Sequence, residues 1–76
     1  MREMEFKMER EGLLFKGDKV TVTEGELPGC LYYTIDPSLA MSPNIPFNEK
    51  LKCNEGVVLD IISNSRGFYV TVGFDE

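Results

Sequence analysis

The sequence predicts an all-β fold, a small barrel of about five strands with one short helical turn near residues 37–41. Three observations predict it. Residues 68–74 alternate strictly, with Phe68, Val70, Val72 and Phe74 on one face and Tyr69, Thr71 and Gly73 on the other, the period of a half-buried strand. Before them, the apolar run Val57-Val58-Leu59-Asp60-Ile61-Ile62 is set off by the polar break Ser63-Asn64-Ser65-Arg66-Gly67. A short break containing Gly between two such runs makes a β-hairpin. Finally, the other apolar runs are separated by turn residues, at Lys16-Gly17-Asp18 and at Pro28-Gly29, rather than joined into helical repeats.

The N-terminal segment permits two periods. Met4, Phe6 and Met8 alternate with Glu5, Lys7 and Glu9 as in a strand, while Met1, Met4 and Met8 also fit helical spacing. Residues 1–12 are therefore expected to form an N-terminal arm or edge strand, and residues 13–76 the barrel. Leu13-Leu14-Phe15 can cover one end of the barrel. Asp18 beside Gly17 is suited to capping backbone groups in a turn.

Lys19-Val20-Thr21-Val22-Thr23 is a strand with Val20 and Val22 inward, and Glu24-Gly25-Glu26 reads as a break. Pro28-Gly29 predicts a type II turn, because Gly accepts the positive φ of its third position. Cys30-Leu31-Tyr32-Tyr33-Thr34-Ile35 follows as an aromatic and β-branched strand. Residues 36–50 form the long connection. Asp36 and Pro37 could start a helical turn, and Pro43 and Pro46 forbid anything longer. Leu39, Met41, Ile45 and Phe47 give this loop an apolar underside. In Lys50-Leu51-Lys52-Cys53, Leu51 and Cys53 share a face, and Asn54-Glu55-Gly56 reads as a bend or bulge.

The chain of 76 residues makes one domain, and 42% hydrophobic residues supply a core. Its size limits burial to about 60% of the unfolded surface. Thirteen acidic against eight basic residues leave a net charge of −5, which disfavours nucleic acid, whose affinity comes from Lys and Arg. No apolar run is long enough to span a membrane, and residues 1–12 lack the apolar core of a signal peptide. Cys30 and Cys53 are read as small buried hydrophobes, reduced in a cytoplasmic protein. With no His in the chain, neither a zinc site nor the commonest general base is expected, and no cofactor is expected. Asp75 and Glu76, the one carboxylate pair, read as solvated.

Gly17-Asp18-Lys19-Val20, Gly56-Val57-Val58-Leu59-Asp60-Ile61 and Tyr69-Val70-Thr71-Val72-Gly73-Phe74-Asp75-Glu76 occur in an order that resembles small SH3-like barrels, including KOW-type modules. The resemblance covers roughly residues 16–76. The chain also looks like short barrel proteins carried on mobile elements of Gram-positive bacteria. The resemblance implies an SH3-like barrel with Val58 and Ile61 in its core, whereas strict alternation would bury Val57, Leu59 and Ile61. Both can hold only if a bulge lies between Val58 and Ile61. KOW modules contact RNA or ribosomal proteins through basic loops, so the resemblance implies RNA or DNA binding as an alternative function. That would need a basic face from Lys16, Lys19, Lys50, Lys52 and Arg66, which the acidic balance opposes.

The function expected is therefore a non-enzymatic protein-binding or adaptor domain within a larger assembly. Adjacent strand residues face opposite sides, so one of Tyr32 and Tyr33 must lie outside the core. The expected patch is Tyr32, Tyr33, Phe47 and Tyr69, with Pro46 fixing the loop; the same rings could instead simply pack beneath residues 36–50.

Overall fold

A computed structural model describes every residue except Pro37 and Ser38. Its strands are β1 (Arg2–Met8), β2 (Lys19–Leu27), β3 (Cys30–Ile35), β4 (Ala40–Met41), β5 (Glu55–Asn64) and β6 (Gly67–Phe74). They close into an antiparallel barrel in the order β1-β4-β3-β2-β5-β6.

Alternation sets the core. Met4, Phe6 and Met8 of β1, Val20 and Val22 of β2, Leu31, Tyr33 and Ile35 of β3, and Val70, Val72 and Phe74 of β6 all point inward. The rings of Phe6 and Phe74 pack tilted, 6.4 Å between centroids, within the range favoured by aromatic pairs.

Residues 2–8, left between arm and edge strand by the sequence, are a full member of the barrel. β1 pairs with β6 along its whole length, from Arg2↔Phe74 to Met8↔Phe68. The barrel thus has six strands, with β4 the added short one. Of the helical turn expected near 37–41, Pro37 and Ser38 lie outside the described residues, and Ala40 and Met41 are strand. The helical turn that forms among the described residues is a 3₁₀ turn at Phe47–Glu49.

The bulge expected between Val58 and Ile61 is present. The register steps from Val58↔Val72 to Asp60↔Thr71 and Ile61↔Val70, leaving Leu59 unpaired. Val58 is fully buried and Ile61 packs partly on the core. Asp60 Oδ1 accepts the Ile61 N–H at 2.9 Å.

Two breaks read from sequence are strand instead. Glu24-Gly25-Glu26 continues β2 opposite Tyr33, Tyr32 and Leu31. A Cβ at Gly25 would run into the Tyr32 ring, so that ring lies across the bare glycine and shields its backbone. β5 likewise runs through Ser63 and Asn64, and a two-residue turn at Ser65-Arg66 suffices. Arg66 N–H donates to Asn64 Oδ1 at 2.8 Å. The Pro28-Gly29 turn forms with Gly29 at φ +86°, as a type II third position requires.

Leu14 is buried over the barrel end, while Phe15 is exposed. Asp18 caps the turn as expected: its Oδ2 accepts Phe15 N–H at 2.8 Å. Leu39 and Ile45 fold onto the core, whereas Met41 and Phe47 are each 50% exposed. No described helix is long and apolar enough to cross a membrane.

Candidate functional site: the outer face around β4

The strand register assembles one row of side chains across the outside of the barrel. Thr34 of β3 lies opposite Met41 of β4, Met41 opposite Lys7 of β1, Lys7 opposite Tyr69 of β6, and Tyr69 opposite Ile62 of β5. Each belongs to the face opposite the core because its neighbours Met8, Ala40 and Val70 point in. Met41 and Ile62 are 50% and 43% exposed. Two hollows flank the row. One, about 480 Å³, is lined by Lys7, Glu9, Tyr32, Thr34 and Met41. The other, about 350 Å³, is lined by Glu5, Lys7, Met41, Ser42, Pro43 and Tyr69. Lys7 and Met41 separate them.

The expected patch is thereby divided. Tyr32 and Tyr69 stand on this face, each half-buried. Tyr33 does not: it is 3% exposed and belongs to the core. Its hydroxyl accepts the Leu51 N–H at 2.8 Å and donates to Glu24 Oε1 at 3.0 Å. Burial, opposed by the Leu51 bond and reinforced by Glu24, raises its pKa above the usual phenol value. Tyr33 is therefore the post on which the incoming chain before β5 is hung. Pro46 and Phe47 are exposed, but they sit at the 3₁₀ turn and line neither hollow. The residues that sequence reasoning missed are Lys7, Met41 and Ile62. Alternation in the first segment did place Lys7 opposite the Met face; what the sequence lacks is a signal that β4 exists.

The carboxylate of Glu76, expected to be solvated, is a second tie. It accepts from Lys52 N–H at 2.8 Å, Cys53 N–H at 3.1 Å and the Cys53 thiol at 3.3 Å. Arg2 pairs with its other oxygen at 3.2 Å. Desolvation pushes this carboxyl upward, but the bonds from Lys52, Cys53 and Arg2 outweigh it and hold it below its ordinary value. The Cys53 thiol moves the other way, raised by desolvation, by its bond to Glu76 and by that charge. Asp75 remains exposed.

The basic residues a nucleic-acid face would need do not share an element. Lys16 precedes β2 and Lys19 opens it, Lys52 lies on the approach to β5, Arg66 is in the β5–β6 turn, and Lys50 pairs with Glu24 at 3.4 Å. Among the described residues no group of three or more His, Cys, Asp or Glu could hold a metal ion. Comparison with protein-family models, curated proteins and solved structures finds no match.

Proposed function

We propose that this chain is a non-enzymatic protein-binding module, an adaptor within a larger assembly, built on an SH3-like barrel. The observation that carries this reading is the outer row Thr34–Met41–Lys7–Tyr69–Ile62 with Tyr32 beside it. Apolar and aromatic side chains half-covered, gathered around one cation and flanked by concave surface, are the material of protein interfaces. Two further facts support the absence of catalysis. The chain has no His, and the Cys53 thiol is raised in pKa, the reverse of what a thiolate nucleophile needs. Free thiols in both cysteines support a reducing, cytoplasmic setting. The relation to barrel proteins of Gram-positive mobile elements belongs to the same proposal, on the motif order alone.

The test is capture from the source cell with the wild-type chain and a Met41→Ala/Tyr69→Ala variant, followed by affinity measurement on the partner recovered. Loss of an anchor aromatic costs about 2 kcal/mol or more, so the variant should bind at least about thirtyfold more weakly. Unchanged affinity in a folded variant overturns the reading. Phe47→Ala in the same assay reports whether the footprint reaches the 3₁₀ turn. The KOW-like alternative, RNA or DNA binding, predicts instead a gel shift at low ionic strength that salt abolishes.

A further inference from the structure

The barrel has a gap in its backbone ladder, and the gap lies beside the row just described. β1 pairs with β4 only at Lys7↔Met41 and Met8↔Ala40. If β4 ran on, Ser42 would face Phe6 and Pro43 would face Glu5. It does not run on, for two local reasons. Ser42 turns to β3, its N–H donating to Tyr33 O at 2.8 Å and its hydroxyl accepting Tyr33 N–H at 2.8 Å. Pro43 has no N–H to give. Ile45 then exchanges both backbone bonds with Leu31, at 2.8 and 2.9 Å. The segment stays with β3 and leaves β1.

The direction of the orphaned groups follows from alternation. A strand residue sends its N–H and C=O to one side, and the next residue sends its own to the other. Ser42 bonds to β3, so Met41 faces β1, and its register partner Lys7 faces β4. Glu5 and Glu3, two and four residues back, face the same way, into the gap. No backbone or side-chain hydrogen bond among the described residues reaches the N–H or C=O of either one. Below them the gap ends where the Arg2 guanidinium donates to the carbonyls of Glu49 and Lys50.

Resting on the protein-binding reading, we infer that the β1 edge at Glu3–Glu5 takes an extended, basic segment of the partner as an added strand. Two N–H and C=O pairs in a row are satisfied by another strand, not by a helix or a small molecule. The outward side chains at this edge are two exposed carboxylates, so cross-strand positions opposite them favour Lys or Arg. The hollow at Glu5, Met41 and Pro43, which Lys7 and Tyr69 also line, offers an apolar wall to the aliphatic stem of such a residue at its Met41–Pro43 side, with the charge of that residue on Glu5. A second copy of this chain is the poorer occupant, because β1 against β1 would oppose Glu with Glu.

The test uses the full ¹⁵N-labelled chain and amide exchange. In the free protein the amides of Glu3 and Glu5 should exchange fast, while those of Met4 and Phe6, which face β6, are protected. Adding acetyl-Val-Lys-Ala-Lys-Val-amide should shift the Glu3 and Glu5 resonances saturably and slow their exchange about tenfold at saturation, an effect of about 1.4 kcal/mol. The variant Glu3→Lys/Glu5→Lys, confirmed folded by circular dichroism, should lose the effect, and a peptide with Glu in place of Lys should not produce it. Slow exchange at Glu3 and Glu5 in the free protein overturns the inference, as does no shift or a shift mapping elsewhere. Protection that rises with protein concentration alone overturns it in favour of self-pairing. The two readings fail separately. A partner lost by Met41→Ala/Tyr69→Ala but kept by Glu3→Lys/Glu5→Lys leaves the module a protein binder and removes the strand-addition site.

Discussion

β1 meets its two neighbours on very different terms. Towards β6 it is paired from Arg2 to Met8, with Met4, Phe6 and Met8 sealed beneath. Towards β4 it is paired at two positions and then left open. One wall, β1-β6-β5, carries a ladder interrupted only by the bulge at Leu59, over a buried apolar layer of Met4, Phe6, Met8, Val58, Val70 and Val72. The other, β3-β4-β1, is closed by a two-residue strand, a serine hydroxyl and a few side-chain ties. Closure of a barrel removes its edges in principle, yet a strand as short as β4 leaves part of the β1 edge unpaired. The outer row spans both walls: Thr34 and Met41 stand on the β3-β4 side, and Tyr69 and Ile62 on the β6-β5 side, with Lys7 of β1 between them.

The sharpest way to break the contrast is in the strong wall. Phe6 and Phe74 are fully buried against each other, so Phe6→Ala should cost about 3–5 kcal/mol. Urea unfolding followed by tyrosine fluorescence measures it. A loss near 1 kcal/mol would mean that the β1–β6 wall is not where stability sits. The next effect belongs to the weaker wall. Tyr33→Phe keeps the ring but leaves the buried Leu51 N–H without its acceptor, which should cost about 1–3 kcal/mol. Exchange at Leu51 should quicken more than exchange in β5 or β6. The pH dependence follows in sign. The folded pKa of Tyr33 lies above its unfolded value of 10.0, so its neutral form stabilises the fold below that pH. The contribution fades as pH rises through the folded value, and Tyr33→Phe should flatten this alkaline loss.

What was legible in the sequence was what alternation alone decides. The β5–β6 hairpin, the inward Val20 and Val22 and the Gly29 turn all rest on neighbours close in the chain, while the bulge after Val58 departs from strict alternation and was implied by the SH3-like pattern. Gly25 was misread because the ring that shelters it, Tyr32, lies across the hairpin. β1 was ambiguous because its Met spacing fits two periods, and only pairing with β6, some 65 residues away in sequence, settles it. β4 was invisible: two residues beside prolines carry no strand signal, and the partners on both sides define it. The site shared this fate. Parity puts Tyr69 outside and requires one of Tyr32 and Tyr33 to join it without saying which, whereas the grouping of Met41 with Lys7 and the open edge at Glu3–Glu5 exist only through register.

The smallest expected effect sharpens the comparison from the side of the ties. Glu76 gathers Arg2 from the start of β1 and the amides of Lys52 and Cys53 from the approach to β5, so it pins the lower end of the open seam. Its folded pKa lies below the ordinary 4.5. A depressed carboxyl stabilises the fold above the unfolded pKa, and that contribution is lost as pH falls through the folded value. Wild type should therefore lose stability as pH drops below about 4.5, and Glu76→Gln should be less stable at neutral pH and flatter across the acid window. Being partly solvent-screened, the effect should be weaker than that of Tyr33→Phe. Cys53 supplies an independent readout. Removing the carboxylate takes away the charge that raises this thiol, so Cys53 in Glu76→Gln should alkylate faster at pH 8 than in wild type. Identical acid profiles and identical alkylation rates would show that Glu76 is not seated on these groups. The lower end of the seam would then be held by Arg2 and its two carbonyls alone.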